Sequence, residues 1–102
     1  MAFDGTEGGP IALAAAGVMT KAWRLSNPTQ TKAVFMGRDI IEQLLNPKNI
    51  MGIRIYFAED ATGKNTVVLA GALTNEDDVT TLVANFGNLC PSDCSAANPL
   101  NS

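Results

Sequence analysis

The chain has two thiols, Cys90 and Cys94, in the stretch NLCPSDC. Their C-x-x-x-C spacing is one residue longer than the C-x-x-C of thioredoxin-like redox sites. Across a tight loop or one helical turn, Cα atoms four residues apart can come within the roughly 4.4–6.8 Å that a disulfide needs. Such a bond would close a very short loop, so its entropic contribution would be small. It would also be unusual in a reducing cytoplasm. A closed zinc site takes four ligands. One chain offers two thiolates with Asp93 between them, so a metal would require the cysteines of two chains meeting at an axis. The pair therefore reads as reduced structural cysteines, a disulfide clip, a shared metal site or a catalytic thiol.

Little else in the sequence is reactive. There is no histidine, which removes Ser-His-Asp and Cys-His catalysis as usually built and the commonest metal ligand. Asp39 and Glu42 are spaced i, i+3 and could form an acid/base pair, but beside Arg38 they read as a solvated helix face. Glu59-Asp60 occupy a turn, where acids are common. Glu76-Asp77-Asp78 lack the alternating oxygen ligands of a calcium loop. Gly8-Gly9-Pro10 is followed by no Lys-Ser/Thr and fails as a phosphate-binding loop. No cofactor is expected.

The elements that must carry these residues can be read from periodicity. Residues 1–10 are Gly-rich and acidic and are expected to form a flexible arm. From Ile11 to Ser26, apolar residues at Ile11, Ala15, Val18, Met19 and Ala22 fall on one helical face, opposite Gly17, Thr20, Lys21 and Arg24. Asn27-Pro28 ends this helix. Residues 29–37 fit a short strand or the start of the next helix. That helix, RDIIEQLL, has Ile40, Ile41, Leu44 and Leu45 on one face and stops at Asn46-Pro47. IMGIRIYFA reads as a strand in which Met51, Ile53, Ile55 and Phe57 alternate with Gly52, Arg54, Tyr56 and Ala58. EDATGKN turns it into a second strand, TVVLAGAL. A third helix is predicted after a Thr74 or Asn75 cap, with three carboxylates in its first turn, Val79, Leu82, Val83 and Phe86 on its apolar face, and Gly87 as its C′ glycine. Trp23 and Tyr56 are expected in the core. The fold class is α+β: a small antiparallel sheet, made of a central β-hairpin and possibly a third strand, with three helices on one face. One domain spans 11–94, followed by a polar tail, 95–102.

Composition narrows the partners. The chain has 102 residues, 46% hydrophobic and only 17% charged, against about 25% charged in typical domains. An under-charged chain has apolar surface to hide, and association is the simplest remedy. The seven basic residues are spread from Lys21 to Lys64, and the net charge is −3, so no patch is suited to a phosphate backbone and no nucleic-acid partner is expected. No run approaches the roughly 20 apolar residues of a membrane span. The N-terminus lacks the positive region of a secretory signal, which leads to a cytoplasmic expectation.

Three stretches, FMGRDIIEQLL, GIRIYFAEDATGKNTVVLAGAL and CPSDC, together resemble a group of short bacterial proteins. These carry an F-x-G-[R/K] helix start, a G-[I/V]-R-[I/F]-Y strand and a C-terminal C-P-x-x-C. The resemblance covers residues 11–94 and implies no established activity. It marks Gly37, Arg38, Gly52, Arg54, Tyr56, Cys90 and Cys94 as positions to test. Some members carry a further cysteine just before the G-I-R strand, where this chain has Met51 or its neighbour.

The functional expectation is a non-enzymatic self-associating or protein-binding module, most simply a homodimer. Its assembly surface would be the hairpin face bearing Arg54, Tyr56, Val68, Ala70 and Ala72, because Tyr and Arg beside small apolar residues are enriched at interface centres. The alternative is a thiol-based redox or metal-binding protein using Cys90 and Cys94, possibly across a dimer. The third reading is an enzyme using Arg54, Tyr56 and a carboxylate.

Overall fold

Proline and asparagine punctuate the chain where expected. Asn27-Pro28 ends helix α1 (Leu13–Ser26), and Asn46-Pro47 ends helix α2 (Arg38–Leu45). Between them lies a short strand, β1 (Ala33–Phe35), which resolves the ambiguity over residues 29–37. The computed structural model describes residues 2–101. The remaining elements are four strands: β2 (Ile50–Glu59), β3 (Asn65–Leu73), β4 (Asp78–Ala84) and β5 (Asn88–Cys90). Strands β2, β3 and β4 form an antiparallel meander, and β1 pairs antiparallel with β5 as a separate ribbon. The class is α+β with a small antiparallel sheet, but it has two helices among the described residues, not three.

The segment expected as a third helix is strand β4. Its Thr-Asn-Glu-Asp entry, which resembles a helix cap, is a hairpin turn. Glu76 N–H donates to Leu73 C=O at 2.9 Å, Leu73 N–H donates to Asp77 C=O at 2.9 Å, and Asp77 N–H donates to the Asn75 side chain at 3.0 Å. Glu76 takes a left-handed φ of 75°, as in hairpins that pair a tight turn with a left-handed residue. The β-branched residues Val79, Thr80, Thr81 and Val83 favour the strand. The deciding factor is tertiary: without β4, the apolar strand β3 would present an unpaired edge. The pairing is irregular. Its register runs from Ala72↔Asp78 to Ala70↔Val83, five residues along β4 against two along β3. Gly87 is not a helix cap either; the left-handed residue there is Phe86, with φ 60°.

The β2–β3 turn follows the sequence. Asp60 accepts hydrogen bonds from Thr62 N–H, Thr62 O–H and Lys64 N–H at 2.8, 2.6 and 3.0 Å, and Gly63 adopts φ 84°. In β2 a bulge between Ile50 and Gly52 shifts the alternation. Ile50 is buried there, its side chain lying close to Gly71, in the core place that strict alternation gives to Met51.

The core is small. Leu44 of α2 packs with Leu69 and Ala84, and Met36, Ile40, Ile53 and Val67 close around them. Eight helical residues span only about 12 Å, whereas ten strand residues span about 33 Å. Helix α2 therefore covers only part of the sheet, leaving Ile55 exposed and Phe57 93% exposed.

Helix α1 does not join α2 on the sheet. Its only buried residue is Gly17, where an added Cβ would lie 2.9 Å from Pro99 C=O. Arg24 donates to Leu100 C=O at 2.6 Å, and the Trp23 indole N–H donates to Thr31 C=O at 3.1 Å. The face turned inward is the Gly17, Thr20 and Arg24 stripe. The apolar stripe of Ala15, Val18 and Ala22 faces solvent, the reverse of what its composition suggests.

Candidate functional site

Two features stand out: an open apolar groove on one side of the sheet and a tight polar cluster on the other. Helix α1, strand β1 and the uncovered half of the sheet enclose a groove of about 1240 Å³. Met19 and Trp23 of α1, Phe35 of β1, Met36, and Ile55 and Phe57 of β2 line it. Trp23, expected in the core, stands at the rim and is substantially exposed. At this size the groove exceeds the roughly 300–1,000 Å³ of typical small-molecule pockets. It exists because α2 is too short to reach the end of β2.

On the opposite face the register brings Arg54 next to Ala70 and Tyr56 next to Val68, with Ala72 beside Asp78. Asp78 links the two polar side chains. One carboxylate oxygen accepts from Arg54 at 2.5 Å, and the other accepts the Tyr56 O–H. Arg54 also donates to Glu76 C=O at 3.0 Å and lies over the Phe3 ring, 5.3 Å from its centroid. Phe3 N–H donates to Thr74 C=O at 2.9 Å, so the start of the N-terminal arm lies against this face. Ala70 and Ala72 are each only 3% exposed, while Tyr56, also expected in the core, is substantially exposed.

This cluster is the carboxylate–Arg–Tyr grouping that the sequence left without a partner for Arg54 and Tyr56. Its chemistry is that of a brace. The Tyr56 hydrogen bond, and then the Arg54 bond and charge, hold the Asp78 carboxyl below the usual carboxylate range, against an opposing effect of burial. The Asp78 hydrogen bond, burial and the Asp78 charge push the Tyr56 phenol up. Both groups move away from neutrality, the opposite of the tuning that acid–base catalysis needs. The brace ties β2 to the β3–β4 turn.

The brace implies a pH dependence whose sign is fixed by these directions. Asp78 has a lower pKa folded than unfolded, so its contribution is present above the unfolded value of about 3.9 and is lost as pH falls through the folded value. Tyr56 has a raised pKa, so its contribution is present below about 10 and is lost as pH rises through the folded value. Urea unfolding from pH 6 to pH 2 is expected to show an acid loss of stability that is smaller in Asp78→Asn than in the parent. Parallel curves would show that the brace carries no linkage.

Cys90 and Cys94 form a disulfide with Cα atoms 4.7 Å apart. Cys90 is buried at the end of β5 opposite Ala33, and Cys94 is exposed. The bond turns the chain out of the β1–β5 ribbon toward the tail that reaches α1 through Pro99 and Leu100. Among the described residues no three His, Cys, Asp or Glu side chains gather as a metal site. The other marked positions do not converge. Gly37 precedes α2, Arg38 and Glu42 form an exposed pair at 3.9 Å, and Gly52 lies at the β2 bulge. Among the described residues no helix is long and apolar enough to cross a membrane.

No family model, curated protein or solved structure matches this chain.

Proposed function

We propose that this chain is a non-enzymatic module that acts through self-association. The observation carrying this reading is its surface. The chain exposes 7344 Å², whereas a folded monomer of its 10.7 kDa mass exposes about 5,500 Å². The Cα radius of gyration is 15.1 Å, against about 13 Å for a domain of this length. Two chains would together have roughly 3,700 Å² of surplus to hide, within the range of about 2,000–5,000 Å² for obligate homodimers. The surplus is apolar in character: Val18, Leu25, Phe35, Phe57 and Phe86 are all more than half exposed.

The hairpin face of Arg54, Tyr56, Val68, Ala70 and Ala72 supplies only part of this surface, because its alanines are covered and its polar side chains are engaged with Asp78. The larger open area lies on the groove side and along α1. Sedimentation velocity at micromolar concentration is expected to give twice the monomer mass. Monomer mass throughout would refute self-association. Arg54→Glu separates the two faces: an unchanged mass would remove the hairpin face from the assembly.

The alternative reading, a thiol-based redox protein, draws on the Cys90–Cys94 bond alone. A Cys90–Cys94 bond that persists in the cell would go with an oxidising compartment, whereas the cytoplasm expected from the N-terminus would keep the pair reduced.

A further inference from the structure

The outward face of α1 has a pattern beyond simple hydrophobicity. Within the helix, Ala15, Val18, Ala22 and Leu25 are spaced three, four and three residues apart, the a/d spacing of a coiled-coil seam. All four are exposed, Val18 and Leu25 each at 72%. The helix is attached to its own chain by the opposite face, through Gly17, Arg24 and Trp23. Nothing among the described residues covers the seam.

We propose that α1 pairs antiparallel with α1 of a second copy along this seam, about a two-fold axis near the level of Thr20. The proposal rests on the self-association reading and names its interface. Two observations commit it to a second copy in this orientation. The first is the surplus surface, to which the seam contributes Val18 and Leu25, each 72% exposed. The second is size complementarity. Antiparallel pairing about that centre sets Ala15 against Leu25 and Val18 against Ala22, so every layer holds one small and one larger side chain. Parallel pairing would set Ala against Ala and Leu against Leu, alternating gaps with crowding. The alanines allow the axes to approach toward the close end of the usual 8–10 Å range, and antiparallel helices also align their dipoles favourably. An isologous contact of this kind closes at two chains and leaves no end for a filament.

The test uses the full chain, whose native cysteines are both in the disulfide. Ala15→Cys and Leu25→Cys variants, carrying tags of different size, are mixed, re-equilibrated and treated with a short thiol crosslinker. The expected product is the mixed dimer, at least fivefold in excess over either homodimer. Crosslinking of Leu25→Cys to itself as the main product would establish parallel pairing and overturn the proposal. No α1 crosslink in a protein that sediments as a dimer would also overturn it, while leaving self-association standing on another surface. Monomeric sedimentation of the parent would overturn both. Val18→Arg gives an independent check. At an exposed position it is expected to keep the parent's circular dichroism and lose the dimer. Retention of the dimer mass would overturn the seam.

Discussion

Gly87→Ala is expected to destabilise the fold by about 1–3 kcal/mol through overpacking, whereas Phe86→Gly beside it is expected to be neutral or slightly stabilising. A Cβ on Gly87 would lie 2.5 Å from the Val34 side chain, 2.8 Å from Phe35 C=O and 3.1 Å from the Met36 methyl. The carbonyl belongs to β1 backbone in the segment paired with β5 through Phe35↔Asn88, so it can move only by disturbing the ribbon. Phe86, by contrast, has an almost fully exposed side chain and a left-handed φ of 60°, a conformation that suits glycine better than phenylalanine. A helix ending at Gly87 implies the reverse ordering, with the glycine in the left-handed position and Phe86 on the buried face. Urea midpoints for the two variants separate these cases. A stability loss at Phe86 larger than that at Gly87 would mean that the chain forms the third helix.

Leu44→Ala is expected to cost about 2–5 kcal/mol, the range for emptying a buried leucine site. Leu44 is the one helical side chain fully within the core cluster, and its partners there are Leu69 and the small Ala84. With so few large buried groups, neighbouring side chains have little apolar volume with which to refill the space. Against the roughly 5–15 kcal/mol that stabilises ordinary domains, the loss should leave a measurable unfolded fraction. Urea unfolding with a fixed m-value measures it. A change under 1 kcal/mol would place the principal core elsewhere, on the groove side covered by a partner.

These two sites illustrate how far the sequence could be read. Helix α2 was legible because Ile40, Ile41 and Leu44 share a face and Asn46-Pro47 stops it. The β2–β3 hairpin was legible because residues 53–57 alternate and the Asp60–Lys64 turn carries its own hydrogen bonds. In each case the signal is local. Residues 74–87 satisfy two local rules at once. Thr74 to Asp78 resembles a capped helix start and also makes a hairpin turn, and Val79, Leu82, Val83 and Phe86 fit a helical period. Only the open edge of β3, a long-range condition, selects the strand.

The candidate sites divide in the same way. Arg54 and Tyr56 stood out by type and by alternation along one strand. The local helix signal at residues 74–78 separates Asp78 from them, and the Gly-rich arm gives Phe3 no periodic signal. The strand-like run DVTTLV was the signal that could have found Asp78. The apolar stripe of α1 was visible from its spacing, but its direction was not.

By itself, then, the sequence determined the positions of the two helices, the β2–β3 hairpin, the low charge and the spacing of the two cysteines. Each of these depends on residues within a few positions of one another. The tertiary structure alone decided that β4 is a strand, that Asp78 closes on Arg54 and Tyr56, and that α1 turns its apolar seam outward. Those outcomes depend on which surfaces remain uncovered once α2, only eight residues long, has packed on a ten-residue strand. That mismatch in length leaves the groove open, and the tail at Pro99 and Leu100 holds α1 by its small and polar face.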